Sequence, residues 1–380
     1  MYGDFPLYTI LIERKGARPM ESLNYKRNID ETVSRLSALY NRDMQDRICA
    51  AFEIPSPSLN SFRAQHDEGY CPPPDIGERV VFWDSYLEER SVLEDDGMPC
   101  AYLSECDQGL YGALVGGSIQ YMCHDNGWIS SMVPPLLEDW AKFDDLTYDE
   151  ASPVFTEYLK LLEAFRKGSD GKFGISHFIL IDGINFVFEL VGATGAYMGM
   201  IERPETIKQA ISFAYDLNRF VQDAFFDEIA LFRGGTFSNF AQWLPGRIVS
   251  ESVDPFHMTS VEYFEEWGRA NIERMFAAYD GGVVHLHANG RHLLEAVSTL
   301  PGLKAILMLD DVGYERACDC ISSFRTRAGD VPLSVYMPYN DFQERLKKHD
   351  LPGGIIYQVT GTPDADTANR LMDNVREYTV

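Results

Sequence analysis

The chain has 380 residues, of which 45% are hydrophobic and 13% aromatic. That is enough apolar material for one large barrel or two domains, and too much for a disordered chain. The net charge of −25, with no Lys/Arg cluster to offset it, would repel a phosphate backbone and excludes nucleic acid as a natural partner.

The first residues, MYGDFPLYTILIERKG, put an acid ahead of a short apolar run and lack a small-residue cleavage site, so they do not read as a signal peptide. Residues 28–53 read as helical and residues 56–79 as loop. Residues 1–95 therefore form an expected helical and loop extension, packed on a barrel made by residues 96–380. No run of about 18 apolar residues is seen, so no membrane-spanning helix is expected. The cysteines (Cys49, Cys71, Cys100, Cys106, Cys123, Cys318 and Cys320) are scattered without a disulfide framework, which fits a reducing cytoplasm. Cys318 and Cys320 fall inside an expected helix and read as ordinary helix residues.

From about residue 173 the chain alternates. FGISHFILI (173–181) reads as a strand, followed by a Gly-rich apolar helix and a second helix over 202–226 with Pro204 near its start. IALFRGG (229–235) and RIVSES (247–252) read as strands. The stretch 258–282 reads as a helix with Thr259 or Ser260 at its N-cap and a Gly stop. Then come strand VVHLH, helix 289–300, strand KAILMLDD, helix 314–329, strand PLSVYM, helix 340–350, strand GIIYQVTG and a last helix from about Asp364 to Tyr378. Strands separated by helices of this length are parallel βαβ units. Their number favours an α/β fold of the (β/α)8 TIM-barrel type, with an open doubly wound sheet as the rival.

In such a barrel the C-terminal strand ends carry the chemistry. They hold Glu251, His285, His287, Asp310, Asp311, Tyr339 and Thr360. His285 and His287 share one strand face, because side chains repeat every second residue. Val284 and Leu286 suit the helix-facing layer, so both histidines point inward. A single buried, hydrogen-bonded histidine without metal is the plain alternative.

Several stretches resemble the uroporphyrinogen decarboxylase superfamily in its methyltransferase branch. These are DGMPCAYLSECDQGLYGALVGG, ELVGATGAYMGMIERPETIKQAI, QWLPGRIVSESVDPFHMTSVEYFEEW, VVHLHANGRHLLEAVSTLPGLKAI and YQVTGTPDADTANRLMDNV. The likeness runs from about residue 75 to the C-terminus. It departs from the decarboxylases, which carry an Arg-rich N-terminal motif and place His before Gly on the last strand; here Thr360 precedes Gly361. It departs from the thiol-activating members too, because His287 and Thr360 stand where they have cysteines. The chain is more similar to the methyltransferase component of corrinoid-dependent O-demethylases, some of which show Glu, fourteen residues, Glu, twenty residues, His. Glu251, Glu266 and His287 stand at that spacing.

The resemblance implies one zinc ion on Glu251, Glu266 and His287, with His285 able to replace Glu266 or to support His287. It gives His285 and Asp310 catalytic roles, lets Asp310 or Asp311 orient a ligand histidine, and makes Asp107, Tyr339 and Thr360 candidate substrate contacts. Imidazole and carboxylate ligands suit an ether oxygen, where thiolates would suit a thiol. The implied reaction moves a methyl group from a methoxylated aromatic to the cob(I)alamin of a corrinoid protein in the cytoplasm. A homodimer is compatible with this. Decarboxylation, methyl transfer from a non-aromatic donor and a non-catalytic binding role stand as alternatives.

Overall fold

Thirteen strands run through residues 22–380, the part of the chain that this computed structural model describes. The reading of residues 1–16 lies outside the described residues. In chain order the strands are β1 (Ile48–Phe52), β2 (Gly69–Cys71), β3 (Cys100–Tyr102), β4 (Gln120–Cys123), β5 (Ile129–Met132), β6 (Gly174–Ser176), β7 (Gly235–Ser238), β8 (Gln242–Pro245), β9 (Val249–Ser252), β10 (Gly282–Leu286), β11 (Leu303–Met308), β12 (Leu333–Pro338) and β13 (Ile355–Thr360). The fold is α/β. Six parallel strands form its main sheet, in the order β1-β13-β12-β11-β10-β9. A second sheet has the order β3-β6-β7-β8, and a small antiparallel sheet the order β2-β4-β5.

The two larger sheets touch at one edge, where Ile179 bridges Ser250 in parallel and the Leu180 N–H donates to the Ser250 carbonyl at 2.9 Å. At the other edge, side chains stand in for a ladder. The N–H of Ala50 donates to Asp96 Oδ2 at 2.9 Å and that of Phe52 to Asp95 Oδ2 at 2.7 Å. Asp95 also accepts from Lys26 Nζ at 2.8 Å, and Asp96 from Arg35 Nε at 2.6 Å. A free strand edge buried in the protein must satisfy its N–H groups somehow, and here two carboxylates do so.

The main sheet buries both faces. Val284, Leu286, Ile306, Met308 and Val335 pack toward the helices. Cys49, Val283, Ala305, Leu307 and Ile356 pack on the other side with Phe232, Phe237, Phe240 and Trp243. Strands covered on both faces read as continuous apolar runs without alternation. That is why ICAAF, all five residues buried, reads from sequence as the tail of a helix. The helix itself ends at Tyr40. β1 pairs with β13 from Ile48↔Ile355 to Phe52↔Val359, so residues 48–52, expected as helix, contribute a strand to the main sheet.

Three other expectations change. Residues 56–79 are not a loop throughout: Pro57–Gln65 is helical, capped by Ser56, and a second helix starts at Ile76 behind the Asp75 cap. IALFRGG is a turn after the helix Pro204–Glu228, and the strand starts only at Gly235. Gly268 divides the expected helix 258–282 into Val261–Trp267 and Arg269–Ala278. By contrast the last helix, Ala365–Glu377, starts behind Asp364, whose side chain accepts the Thr367 N–H.

The helix Gly183–Glu202 is long and apolar enough to cross a membrane by length and composition, contrary to the expectation that no such stretch occurs. It is broken at Gly192, where φ is +72°, a conformation that glycine adopts without a Cβ penalty. The Glu189 and Leu190 carbonyls before the break accept from the N–H groups of Leu136 and Leu137 at 3.1 and 2.7 Å. Its residues Ile184, Phe186, Val187 and Leu190 belong to the apolar core.

Candidate metal centre

β9 and β10 run side by side, with Ser252 opposite His285 and Glu251 opposite Val284. Register partners in a parallel pair point the same way. His285 therefore leaves the inner face with Ser252, whereas Glu251 joins Val284 on the helix-facing side. His287 follows two residues after His285, just past the strand. From the turn after β9, Asp254 reaches the same place. The ligating atoms of Asp254, His285 and His287 all lie within 4.8 Å of one another.

His285 Nε2 is 3.1 Å from Asp254 Oδ1, and His287 Nε2 is 4.0 Å from Asp254 Oδ2. Behind His287, Asp311 Oδ1 accepts from Nδ1 at 2.9 Å, while Asp311 Oδ2 accepts the Ala288 N–H at 2.6 Å. This carboxylate fixes the tautomer and leaves the Nε2 lone pair facing the cluster. Burial by itself would raise the Asp254 pKa, but the imidazoles of His285, His257 and His287 hold it below the usual carboxylate range. Nδ1 of His257 stands 3.6 Å from Asp254 Oδ1. Burial lowers the His257 pKa to about 4, so this ring is neutral at pH 7. Its other edge rests on Gly290, where a Cβ would come within 2.1 Å of the ring; that close approach explains the glycine in HANGR.

The cluster opens on a cavity of about 460 Å³. Rings of Tyr102, Trp128, Phe188, Phe240 and Tyr336 line it, together with Gln108, Asn185 and Asn239. Two further carboxyls, Asp107 and Glu189, reach it from the opposite elements. No Lys or Arg lines it among the described residues. Asp107 Oδ2 accepts from the Tyr102 hydroxyl at 2.7 Å.

The structure thus brings together His285, His287 and Asp107 of the sequence-derived residues, with Asp311 behind them. Glu251 is not with them. It is buried beside Asp182, and burial and that second carboxyl push its pKa well above the usual range. Asp182 in turn accepts from Asn271 Nδ2 at 2.6 Å. Glu266 is exposed on the helix Val261–Trp267 and belongs to no cluster with the histidines. Asp310 accepts the Ala317 N–H at 2.6 Å and Arg291 Nη2 at 3.2 Å, which orders the loop after β11. Tyr339 accepts from Gln343 at the start of its own helix, and Thr360 ends β13; neither lines the cavity. The spacing of Glu251, Glu266 and His287 is therefore met in sequence but not in space.

Sequence reasoning missed Asp254, Glu189 and the aromatic wall. The available signal for Asp254 was its place, two residues beyond the end of β9 in SESVDPFH. With Ser250 and Ser252 as the inward residues of that strand, Asp254 continues the inward phase and Glu251 does not.

The buried Glu251–Asp182 pair carries a prediction. Glu251 keeps its proton when folded at pH values where the unfolded chain would release it. Its contribution to stability is therefore full below about pH 4.5 and is lost as pH rises toward the raised folded value. Glu251→Gln keeps a hydrogen-bond donor and does not titrate. It should raise stability at pH 8 by on the order of 1 kcal/mol relative to pH 5, read from thermal midpoints at both pH values, and leave bound metal unchanged. Loss of metal in this variant would return Glu251 to the ligand set.

No family model matches the sequence, and no curated protein does. Among solved structures, a methyltransferase from Methanosarcina mazei is similar in fold, with a TM-score of 0.57 and 12% sequence identity over 94% of this chain and 99% of that one.

Proposed function

We propose that this chain is a zinc-dependent methyltransferase of the uroporphyrinogen decarboxylase-like type, built as a (β/α)8 barrel. Its eight parallel strands would be β1, β3, β6 and β9–β13. It takes the methyl group from a methoxylated aromatic and delivers it to the cob(I)alamin of a corrinoid protein in the cytoplasm. The observation that carries the reading is the Asp254–His285–His287 triad, held by Asp311 and open to an aromatic-walled cavity. The fold shared with a methyltransferase supports it.

Do these residues fit zinc? Two imidazole nitrogens and one carboxylate make a three-ligand set with a fourth position open, as catalytic zinc sites have. Asp254 Oδ1 is buried without a hydrogen bond, while Oδ2 pairs with His285 Nε2 at 3.3 Å, so the carboxylate keeps one unsatisfied oxygen beside the histidines. Bound there, zinc would act as a Lewis acid toward an ether oxygen and ease departure of the phenolate. The protein's own part is orientation. Asp311 keeps the His287 Nε2 unprotonated, and the His285 ring is packed edge-on against Phe240 at 5.2 Å between centroids. The rings of Tyr102, Trp128 and Tyr336 give the substrate an apolar seat and exclude water. In the proposed transfer the methyl–oxygen bond would break with its electron pair left on the phenolic oxygen, and the partner's cob(I)alamin would supply the electron pair that accepts the methyl group.

Metal analysis of the purified protein tests this, with about one zinc per chain expected. The same donor set suits ferrous iron in oxygen chemistry. Iron in place of zinc, with no methyl transfer from 2-methoxyphenol to cob(I)alamin, would refute the proposal.

A further inference from the structure

Gln108 lines the cavity and its side chain is exposed there. Its backbone is unusual, with φ +66° and ψ −60°. Across it the Asp107 carbonyl accepts the Gly109 N–H at 3.0 Å, which closes a γ-turn of the rare form that strains any residue with a Cβ. Glycine would relieve that strain. The chain has Gly109, Gly112, Gly116 and Gly117 close by, yet it places glutamine at the strained position. Its neighbours enforce the turn. Ser131 Oγ on β5 lies 2.8 Å from the Glu105 carbonyl oxygen and 2.9 Å from that of Asp107. The Ser131 N–H also donates to the Asp107 carbonyl, at 3.3 Å, and a Cβ at Gly109 would come within 2.7 Å of the Ser131 hydroxyl. A strained residue held this firmly on a cavity wall points to a role for its side chain.

We propose that Gln108 positions the methyl donor, its side-chain amide donating an N–H to an acceptor oxygen of the bound molecule. This rests on the methyl-transfer reading above and adds a residue to its site. The amide is free for that role, since it makes no hydrogen bond among the described residues. Nearby donors are committed: Asn185 gives its amide N–H to the Ser252 carbonyl at 2.9 Å, and the Tyr102 hydroxyl donates to Asp107 at 2.7 Å. Gln108 therefore brings the cavity a neutral donor that no described protein group occupies. A purely structural role does not call for the amide, because the backbone and Ser131 make every hydrogen bond that closes the turn. Glutamine here costs backbone strain that glycine would avoid, and contact with a ligand is what offsets it.

Three variants separate the amide from the turn. Gln108→Ala keeps a Cβ and the strain, Gln108→Gly removes amide and strain together, and Gln108→Glu keeps the shape but loses the N–H donor. In calorimetric titration of the zinc-loaded protein with 2-methoxyphenol, each should bind about threefold to tenfold more weakly than wild type, with zinc content unchanged. Gln108→Gly should nevertheless unfold about 1–2 °C above Gln108→Ala, because only glycine releases the turn. Binding by Gln108→Ala within about twofold of wild type would overturn the proposal. A midpoint for Gln108→Gly below that of Gln108→Ala would overturn it too, as would wild-type protein that takes up no 2-methoxyphenol. These titrations use no corrinoid, so a failed methyl-transfer assay leaves their result standing. Unchanged binding in the variants, in turn, leaves the methyl-transfer reading standing.

Discussion

Alanine in place of His287 is expected to lower methyl transfer from 2-methoxyphenol to cob(I)alamin by at least about a thousandfold, since a Lewis acid on the leaving oxygen contributes several kcal/mol. His287 supplies a nitrogen to the triad and is the one member aimed by a second carboxylate, Asp311, at 2.9 Å. Its loss leaves one imidazole and one carboxylate, too few to hold zinc against solvent. The assay follows cobalamin absorbance, with bound zinc measured on the same preparation. Asp254→Ala should do the same. Asp311→Asn should act more mildly, weakening zinc binding by roughly 10–100-fold, because it loosens a ligand without removing one. If His287→Ala kept both its zinc and its rate, the triad would not be the reactive centre.

The second large effect concerns stability. Asp95→Ala should cost about 3–5 kcal/mol, the usual penalty for stranding one member of a buried ion pair. Lys26 and Asp95 are 5% and 1% exposed. Lys26 Nζ donates to both the side chain and the backbone carbonyl of Asp95, each at 2.8 Å. The same carboxylate accepts the Phe52 N–H at 2.7 Å and the Gly97 N–H at 3.1 Å. One substitution thus strands a buried ammonium group and frees an edge of β1. Thermal unfolding should show a midpoint lower by on the order of 4–6 °C. The double variant Lys26→Met/Asp95→Asn, which removes both charges and keeps an acceptor oxygen, should recover most of the loss. A midpoint within a degree of wild type for Asp95→Ala would contradict this account of the seam.

How much of this was legible beforehand depended on what the pattern encodes. The βα alternation from VVHLH onward was readable because each strand is a compact apolar run between helices with clear stops, and β10 to β13 lie within three residues of the expected places. β1 was not readable. A strand buried on both faces has no polar alternation, and ICAAF follows an amphipathic helix closely enough to look like its last turn. At the site, strand phase was the informative quantity. It placed His285 and His287 correctly on the inner face. Applied to β9, it would have turned Glu251 away and brought Asp254 forward, but a matching spacing of acids in the sequence outweighed it. Glu189, Phe188, Trp128 and Phe240 come from a helix and loops whose approach is set by long-range packing, such as the seating of Leu136 and Leu137 on the break at Gly192. No local pattern announces contacts of that kind.

The pairing of β1 with β13 also bears on how the molecule is made. Ile48 meets its partner Ile355 about 300 residues later in the chain, a contact of very high sequence separation that closes late and slowly. As the polypeptide leaves the ribosome, the first strand has no neighbour to add to until the last one emerges. Until then its apolar residues need shelter, and Lys26, Arg35, Asp95 and Asp96 are the nearby groups able to hold it in place. Truncation of the C-terminus before residue 355 should therefore yield a chain that engages chaperones or aggregates, because its first strand would wait for a partner that never arrives.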